Sequence, residues 1–540
     1  MRRLRRLLTA LAVGAASAAA QPAPATAPAA LPPDFDAYVA RVLQTFHVPG
    51  AAVAVVKDGR VLVAKGYGVR TLGRPEPVDA ATRFGIASNT KAFTATALAL
   101  LVEEGKVQWD APVVRYLPEF ALYDPWVTRE ITVRDLLVHR SGLGLGAGDL
   151  LWWPTSTYDR AEIMRRLRFI KPATSFRSAY AYDNVLYLVA GQLIERVSGR
   201  SWEDFVRERI LLPVGMTGST VRHSDAAQAG GADVATPHAE VDGRVRAVTP
   251  MTSDNTNPAG GINSTAADMA KWMLVQLDSG RIDDTRRLFT PRSARELWTT
   301  VTPMPPSEPA PAGFDYMRPR FHGYALGFFT SDYRGRFALQ HAGGLPGYTS
   351  LVTMLPDARI GVAVLTNAES WEAWRAITLR VVDELLGAAP PDYVALFARL
   401  QRGAAHAATV AAARSAGTAR DSTSRPSLPL ARYAGAYEDA WYGRVDVTHE
   451  PGPNGGRLVM RFAHTPQLTG DLVPWQHDTF VARWRDRELR ADAYVTFALT
   501  PDGRVDQVKL APASPDVDFS FDFQDLLLRP VAGSVSDAAR

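Results

Sequence analysis

Strand-like segments stand near both ends of the first two thirds of the chain, and a helix-rich stretch lies between them. Near the start, apolar runs at 51–56 and 61–67 flank an Asp-Gly pair, which predicts a tight hairpin. Alternating apolar residues return later, at 323–329, 337–340, 349–355 and 360–367. We therefore expect an α/β (α+β) fold, in which both ends of one domain build a single antiparallel sheet flanked by helices. A helical lobe, about 107–300, would be inserted, and the cleft between sheet and lobe is the expected site.

The composition changes after residue 387 and indicates a second domain. Residues 388–429 run from an Ala/Arg-rich, helix-like stretch into Ser, Thr and Pro, which is typical of a linker. From Tyr433 onward, short alternating segments separated by Gly-rich and Pro-Asp-Gly turns predict a small all-β barrel or sandwich. We expect a first domain at 34–387 and a C-terminal β domain at 430–540 that caps the cleft or mediates assembly.

The N-terminus has the pattern of a secretory signal peptide. Four arginines among the first six residues precede a short, Ala-rich apolar run that ends in small residues at 18–20. The alternative, a single-span anchor, is disfavoured because the run is short and rich in Ala. We expect residues 1–20 to be removed and 21–33 to form a flexible segment. The mature protein would be periplasmic or extracellular, without stable membrane insertion.

The composition also excludes several kinds of partner and site. The chain has 60 basic and 56 acidic residues, and loss of the four N-terminal arginines would make the two numbers equal. No global charge therefore favours nucleic acid or an anionic membrane. The absence of cysteine excludes disulfides, thiol catalysis and cysteine-ligated metals. No His-Glu-x-x-His motif, His cluster or phosphate-binding Gly-rich loop occurs, so we expect neither a metal nor a nucleotide cofactor.

Ser88 and Lys91 lead into a long apolar run at 92–101. Their position predicts a helix with Ser88 at its N-cap and Gly105 at its C-terminal stop. Lys91 would share a helix face with Ser88, with Cβ atoms roughly 5–6 Å apart. A desolvated Lys can act as the base that a Ser hydroxyl needs, and the unpaired N–H groups of the first turn suit an oxyanion. Taken alone, the pair also fits an ordinary capped helix.

Tyr182 and Asn184 stand at the start of an apolar helical pattern at 184–197. From a loop at a helix start, a phenol can relay a proton beside a Lys. A carboxamide can hold a substrate amide and orient the same Lys. Taken alone, the segment also fits a helix entry, with Asp183 or Asn184 as the cap and Tyr182 packed.

His341 is followed by two glycines, Gly343 and Gly344, at the end of a strand pattern. Two glycines at this place permit the close approach of a ligand to the backbone. The N–H of Gly344, at a strand edge, can pair with the N–H of Ser88 to form an oxyanion hole. Taken alone, the segment also fits a Gly-rich turn with a surface His.

In this order and spacing, the three segments resemble the motifs Ser-x-x-Lys, Tyr-x-Asn and Lys/His-x-Gly of the penicillin-recognising serine hydrolases. That group contains class C β-lactamases, D,D-carboxypeptidases, D-aminopeptidases and related esterases. The resemblance runs from about 46 to 386 and includes accessory stretches at 47–50, 137–143 and 259–265. It implies a β-lactamase/transpeptidase-like fold for the first domain. The C-terminal β domain resembles the lipocalin-like domain of some D-amino-acid peptidases in this group.

The resemblance also implies a role for each residue of the motifs. Ser88 would attack the substrate carbonyl and become acylated, and water would then release the acyl group. Lys91 and Tyr182 would share the roles of base and leaving-group acid. Asn184, His341 and Gly343 would contact the substrate, and the N–H groups of Ser88 and Gly344 would form the oxyanion hole.

His341 stands where the β-lactamases of this group usually carry a Lys. A Lys there is cationic and suits a substrate carboxylate, whereas a His, with a pKa of about 6.5, is mostly neutral at pH 7. Peptidases and esterases of the group use His more often. We therefore expect a small-molecule or short-peptide substrate with a peptide, amide or ester bond, as for a D-aminopeptidase, D,D-carboxypeptidase or esterase. A class C-like β-lactamase and a non-catalytic penicillin-binding sensor are alternatives, and a homo-oligomer is left open.

Overall fold

The structure is a computed structural model that describes the chain at 30–228, 233–305, 314–417, 420–421, 423–452 and 455–532. The predicted signal peptide and residues 21–29 lie outside these ranges. Across the described residues, none of the helices combines the length and the apolar character that crossing a bilayer requires.

Helices dominate the middle of the first domain, and strands dominate its two ends and the C-terminal domain. The helices are α1 Phe35–Thr45, α2 Thr90–Glu103, α3 Pro125–Glu130, α4 Arg160–Arg166, α5 Val185–Ser198, α6 Trp202–Val206, α7 Leu212–Val214, α8 His223–Gln228, α9 Asn257–Gly260, α10 Ala266–Leu277, α11 Pro291–Trp298, α12 Trp371–Leu385 and α13 Tyr393–Gly417. The strands are β1 Gly50–Lys57, β2 Arg60–Gly68, β3 Phe84–Gly85, β4 His238–Val241, β5 Arg244–Ala247, β6 Asn263–Ser264, β7 Thr302–Pro303, β8 His322–Tyr324, β9 Phe329–Tyr333, β10 Arg336–Leu345, β11 Tyr348–Leu355, β12 Ile360–Thr366, β13 Gly435–Asp439, β14 Gly443–Glu450, β15 Arg457–Phe462, β16 Thr469–Gln476, β17 Thr479–Trp484, β18 Ala493–Leu499, β19 Val505–Pro512 and β20 Arg529–Pro530.

Both ends of the first domain contribute to one eight-stranded sheet in the order β2-β1-β12-β11-β10-β9-β8-β7. Neighbouring strands are antiparallel, and β1 pairs with β12 so that Ala51 lies opposite Thr366. The predicted joining of the two ends is confirmed. The hairpin β1–β2 turns at Asp58 and Gly59, whose φ values are 51° and 79°. A two-residue type I′ turn requires positive φ at both positions, and Asp-Gly adopts this conformation readily.

Helices cover both faces of this sheet. One face packs against α1, α12 and the start of α13, in a cluster that includes Val53 and Val362. The other face packs against α2, α10 and the lobe, in a cluster that includes Ala52 and Ala363. The helix α2 is buried at 12 of its 14 residues. Its apolar run therefore reflects a helix that is surrounded by protein on every side, and this helix carries Lys91 into the centre of the domain.

The prediction that Ser88 caps the helix is wrong. A 3₁₀ turn, Ala87–Asn89, precedes α2, and Ser88 lies inside this turn. Ala87 has a φ of 48°, an uncommon conformation for a residue with a Cβ atom, and such conformations are typical of functional turns. The predicted stop at Gly105 is confirmed by its φ of 70° and by the hydrogen bond that its N–H donates to Val102 O.

Two other segments differ from their predictions. The predicted strand 323–329 consists of parts of β8 and β9 around a turn at Gly327, whose φ is 82°. A Cβ atom at Gly327 would lie 2.8 Å from Lys91 O, so glycine allows this turn to pack on α2. The predicted linker begins as α13, in which Tyr393 and Phe397 are buried against the first domain. Composition did not distinguish a packed helix from a helix-like linker.

The C-terminal domain is a nearly closed antiparallel barrel. Its sheet has the order β19-β18-β17-β16-β15-β14-β13-β20. Two backbone hydrogen bonds between Val508 and Leu528, at 2.9 and 3.1 Å, link its two ends. The predicted all-β domain is confirmed. The strand β16 contains Pro474, and Pro weakens the sequence signal of a strand.

The barrel packs against the first domain at several places. Arg490 of the barrel donates two hydrogen bonds to the Glu369 carboxylate, at 2.7 and 2.8 Å. The barrel segment 518–522 reaches the lobe, where the N–H of Gly148 donates to Asp522 Oδ2 at 2.7 Å. The two domains therefore meet at the edge of the expected cleft.

Candidate active site

A cavity of about 510 Å³ opens between the start of α2, the strand β10, the lobe and the barrel segment 518–520. Its walls carry Ser88, Tyr182, Asn184 and His341. These four side chains come from three segments that are far apart in the sequence. The fold brings all of them to one cavity, at the place between sheet and lobe where the sequence predicts a site.

The Lys91 amine lies next to the Ser88 hydroxyl. Lys91 Nζ is 3.0 Å from Ser88 Oγ, 2.8 Å from Asn184 Oδ1 and 3.0 Å from Ala259 O. The last two oxygens only accept hydrogen bonds, because one belongs to a carboxamide and the other to a backbone carbonyl. Both therefore direct N–H bonds of Lys91 away from Ser88, and the amine has a fixed orientation.

Burial changes the protonation of Lys91. The side chain has no exposed surface. This burial lowers the pKa of the Lys91 amine to about 7, although the carboxyl groups of Asp149 and Asp183 act in the opposite direction. Near neutral pH, a substantial fraction of Lys91 is therefore the uncharged amine, which is the form that can accept a proton.

Tyr182 also lies next to the Lys91 amine. The centroid of its ring is 4.8 Å from Lys91 Nζ, and the ring packs on His139 with a centroid separation of 4.3 Å. Burial raises the pKa of the Tyr182 hydroxyl well above its usual value, despite the opposing effect of a hydrogen bond with Ser88. Tyr182 is therefore an uncharged phenol at neutral pH, placed beside both Ser88 and Lys91.

Asn184 is held in place by a buried carboxyl group. It occupies the residue just before α5 and makes no capping hydrogen bond with its side chain. Instead, Asn184 Nδ2 donates to Asp149 Oδ2 at 2.8 Å, which leaves Oδ1 facing Lys91. Asp149 also accepts from Trp152 Nε1 and from Ser520 Oγ, both at 2.9 Å. Burial raises the pKa of the Asp149 carboxyl to about 7, and these donors act in the opposite direction.

His341 is an uncharged imidazole on β10. Its Nδ1 lies 2.6 Å from Ala342 O, a pure acceptor, so Nδ1 carries the hydrogen. Its Nε2 then accepts from the Tyr324 hydroxyl at 2.8 Å. Burial, together with the nearby Lys91 amine, lowers the pKa of His341 to about 3. The side chain contributes a ring surface to the cavity and no positive charge.

The two glycines of β10 have different surroundings. A Cβ atom on Gly343 would lie 2.4 Å from Ile86 O and 2.9 Å from Ala87 Cβ. Gly343 thus allows β10 to lie against the turn that holds Ser88, and the close approach is made by protein backbone. A Cβ atom on Gly344 would have no heavy atom within 4 Å, because this residue borders the open cavity.

The described residues that line the cavity include one acidic side chain and no lysine or arginine, and burial keeps its two histidines, His223 and His341, uncharged. The acidic one is Asp518, which the barrel contributes at the edge of the cavity. The N–H of Ser520 donates to its carboxylate at 2.9 Å. The electrostatics of the cavity therefore do not favour an anionic substituent near Asp518.

Two protein-family models match parts of this chain. Residues 35–386 match the family model described as Beta-lactamase. The chain belongs to the beta-lactamase family. The resemblance inferred from the sequence motifs is thereby confirmed. Residues 419–530 match a second model, described as a domain of unknown function, DUF3471.

Relatives of this beta-lactamase-family hydrolase share both domains or the first domain alone. The unguisins hydrolase of Aspergillus campestris (strain IBT 28561) is 31% identical over 490 residues, which cover 87% of each chain. The octameric penicillin-binding protein homologue from Pyrococcus abyssi covers 92% of this chain and 99% of its own, with a TM-score of 0.56 and 23% identity. The D-amino acid amidase from Ochrobactrum anthropi SV3 covers 68% and 99%, with a TM-score of 0.52 and 23% identity. The similarity to these two structures establishes a shared fold.

Two residues of the site, Asp149 and Ser520, had no signal in the sequence, and a third, His139, lay in an accessory stretch without an assigned role. Asp149 is a single carboxyl group in a Gly-rich loop, and its partners Asn184 and Ser520 are 35 and 371 residues away. Ser520 lies in the other domain, so no local pattern connects it with the cavity. His139, which supports Tyr182, lies in the accessory stretch 137–143, and its φ of 55° marks a special backbone position that sequence alone does not reveal.

Proposed function

We propose that this protein is an exported serine hydrolase that forms an acyl-enzyme on Ser88. Its substrates would contain a peptide, amide or ester bond, as for a D-aminopeptidase, D,D-carboxypeptidase or esterase. The observation that carries the proposal is the environment of the buried Lys91 amine, 3.0 Å from the Ser88 hydroxyl. Export rests on the predicted signal peptide at 1–20.

The neutral form of Lys91 is arranged as a base for Ser88. Two of its N–H bonds point to Asn184 Oδ1 and Ala259 O, so its lone pair is left for the Ser88 hydroxyl. As Ser88 Oγ bonds to the substrate carbonyl carbon, its proton passes to Lys91 Nζ, directly or through the Tyr182 hydroxyl. The negative charge moves to the carbonyl oxygen, for which the N–H groups of Ser88 and Gly344 are the proposed donors.

The same groups would then release the two products in turn. The proton on Lys91 or Tyr182 passes to the leaving amine or alcohol as its bond to the carbonyl carbon breaks. An ester on Ser88 remains. Water attacks this ester, gives up a proton to the same base, and returns Ser88 to its hydroxyl form with release of the acid.

The charges around the cavity support an amide or ester substrate over a dedicated β-lactam substrate. His341 is neutral, and the cavity-lining residues that the structure describes supply no cation for a substrate carboxylate. Asp518 would repel such a group and attract an ammonium group. The relative named as an unguisins hydrolase, which spans both domains, also supports hydrolysis of a substrate other than a β-lactam.

The barrel would limit the size of the substrate. Phe519 lines the cavity with 41% of its surface exposed, and its ring meets the Tyr182 ring edge-on at 6.1 Å. A Cβ atom on Gly146 would lie 2.7 Å from Phe519 O, so glycine in the lobe allows the barrel segment to approach. These contacts support the proposal that the C-terminal domain caps the cleft.

A substrate panel tests this proposal. Purified wild-type protein and Ser88→Ala are assayed with D- and L-aminoacyl nitroanilides, nitrophenyl esters and a chromogenic cephalosporin. We expect turnover of an amide or ester by the wild type and a loss on the order of a millionfold in Ser88→Ala. Equal activity of both proteins would refute the proposal. Turnover of the cephalosporin alone would favour the β-lactamase alternative, and stable acylation without turnover would favour a sensor.

A further inference from the structure

We propose that Ser520 of the C-terminal barrel is a positioning residue of the active site, which holds Lys91 in its working orientation through Asp149 and Asn184. The inference rests on the proposed serine mechanism, because it concerns the contacts that orient Lys91, the base of that mechanism. It goes beyond a capping role, since it makes the barrel part of the machinery that orients the amine.

A continuous series of hydrogen bonds connects the barrel with the nucleophile. Ser520 Oγ donates to Asp149 Oδ2 at 2.9 Å, and Asn184 Nδ2 donates to the same oxygen at 2.8 Å. Asn184 Oδ1 accepts from Lys91 Nζ at 2.8 Å, and Nζ is 3.0 Å from Ser88 Oγ. Because Ser520 and Asn184 share one carboxylate oxygen, a shift of that oxygen moves the carboxamide that orients Lys91.

A second barrel side chain holds the backbone on both sides of Asp149. Asp522 has no exposed surface, and its carboxylate accepts from the N–H of Gly148 at 2.7 Å and from the N–H of Leu150 at 3.3 Å. The side chain of Asp149 and its two neighbours in the chain are therefore all bound by the segment 518–522. This arrangement fixes the carboxyl group in position as well as in orientation.

The loss of the Ser520 hydroxyl should shift the pKa values of Asp149 and Lys91 in predictable directions. A buried carboxylate with fewer donors is less stable, so the pKa of Asp149 should rise. The other charged groups that face Asp149 are Lys91, Asp183 and Asp522, and none of them replaces the lost donor. A less negative Asp149 stabilises the Lys91 ammonium less, so the pKa of Lys91 should fall.

The surroundings of Lys91 do not cancel this effect. His139 and His341 face the amine, and burial lowers the pKa of both rings, so they stay uncharged around neutral pH. The acid limb of the pH profile should therefore move to lower pH in a Ser520→Ala variant. A merely structural role of Ser520 would lower the amount of folded protein without moving this limb.

The experiment compares wild type, Ser520→Ala, Ser520→Thr and a matched control, Ser514→Ala. Ser514 lies in the barrel loop that precedes 518–522, and its hydroxyl donates only to Asp516. Hydrolysis of p-nitrophenyl acetate and labelling of Ser88 by a fluorophosphonate are measured from pH 5 to pH 9. For Ser520→Ala we expect kcat to fall about tenfold with little change in KM, because a misplaced base slows the chemical step. The acid limb should move to lower pH, Ser520→Thr should restore both features, and Ser514→Ala should match the wild type.

Several results would overturn the inference. A wild-type pH profile and kcat in Ser520→Ala would show that the hydroxyl does not position the base. Equal losses in Ser520→Ala and Ser520→Thr, with an unmoved acid limb, would reduce Ser520 to a structural role. If the wild type itself neither hydrolyses the ester nor reacts at Ser88, the proposed function fails instead. In that case an NMR titration of the lysine ¹³Cε signals still shows whether Ser520→Ala lowers the pKa of Lys91. The Lys91 signal is assigned as the one that is missing from the spectrum of Lys91→Arg.

Discussion

Replacement of Lys91 by Met should abolish activity and also change how the stability of the fold depends on pH. Met retains the length and the apolar contacts of the Lys stem but carries no charge. Without the base, we expect kcat/KM to fall by roughly 10²–10⁴. The effect on stability follows from the pKa of the amine, which burial lowers from 10.5 to about 7.

The sign of the stability change comes from proton binding. The unfolded chain binds the Lys91 proton more tightly than the folded one, so low pH favours unfolding. At pH values below about 7, the full pKa difference opposes folding by roughly 5 kcal/mol, at about 1.36 kcal/mol per unit. This penalty decreases as the pH rises and disappears above pH 10.5. Between pH 7 and pH 9, the wild type should therefore gain about 2 kcal/mol of stability relative to Lys91→Met.

Urea unfolding at the two pH values, followed by tryptophan fluorescence, measures this difference. The contacts that Met loses are the same at both pH values, so they cancel when the two differences are compared. Lys65→Met is the matched control, because it removes a surface lysine of β2, which pairs with Asp36, instead of a lysine in the centre of the domain. If wild type and Lys91→Met show parallel pH dependences, Lys91 keeps an ordinary pKa in the fold and the reasoning is refuted.

Three further predictions follow from the same site. The kcat/KM of the wild type should decline as the pH falls below about 7, because Lys91 becomes protonated; a flat profile from pH 5 to pH 8 in initial-rate measurements would contradict this. Gly343→Ala should destabilise the fold by about 1–3 kcal/mol and slow the labelling of Ser88, because the added Cβ atom would lie 2.4 Å from Ile86 O. The control variant Gly344→Ala should have the melting temperature of the wild type, because a Cβ atom there meets no heavy atom within 4 Å. Phe519→Ala should raise the rate for nitrophenyl octanoate relative to nitrophenyl acetate severalfold, because it removes a wall of the cavity; an unchanged ratio of the two rates would argue against the cap.

The sequence was sufficient for the architecture of the first domain because its signals are local. The Asp58-Gly59 pair has few alternatives to a two-residue turn, and the apolar alternation of β10, β11 and β12 shows where strands return. The two short strands around Gly327 were read as one, since their separation depends on how closely that turn packs on α2. The 3₁₀ turn at Ser88 was missed for a similar reason: tertiary contacts of Ile86 and Gly343 decide the backbone there, and helix propensity does not.

The candidate site was predictable only in part. Ser88, Lys91, Tyr182 and Asn184 occur as short motifs with fixed spacing, and the structure brings them together. Asp149 and Ser520 have no motif, because their importance comes from a contact between residues that are 371 positions apart. The role of a buried carboxyl group such as Asp149 is inferred from its hydrogen-bond partners, and these are known only once the two domains have been placed against each other.

In the proposed mechanism, Ser88 reacts because a neutral Lys91 amine lies beside its hydroxyl. The most direct test is intact-mass and peptide mapping after reaction with a fluorophosphonate at pH 8, for the wild type and for Lys91→Met. We expect one adduct per chain on the peptide that contains Ser88, formed at least a hundredfold more slowly in Lys91→Met, in line with the loss of a general base. An adduct on a different residue, or equal rates of labelling in the two proteins, would contradict this mechanism.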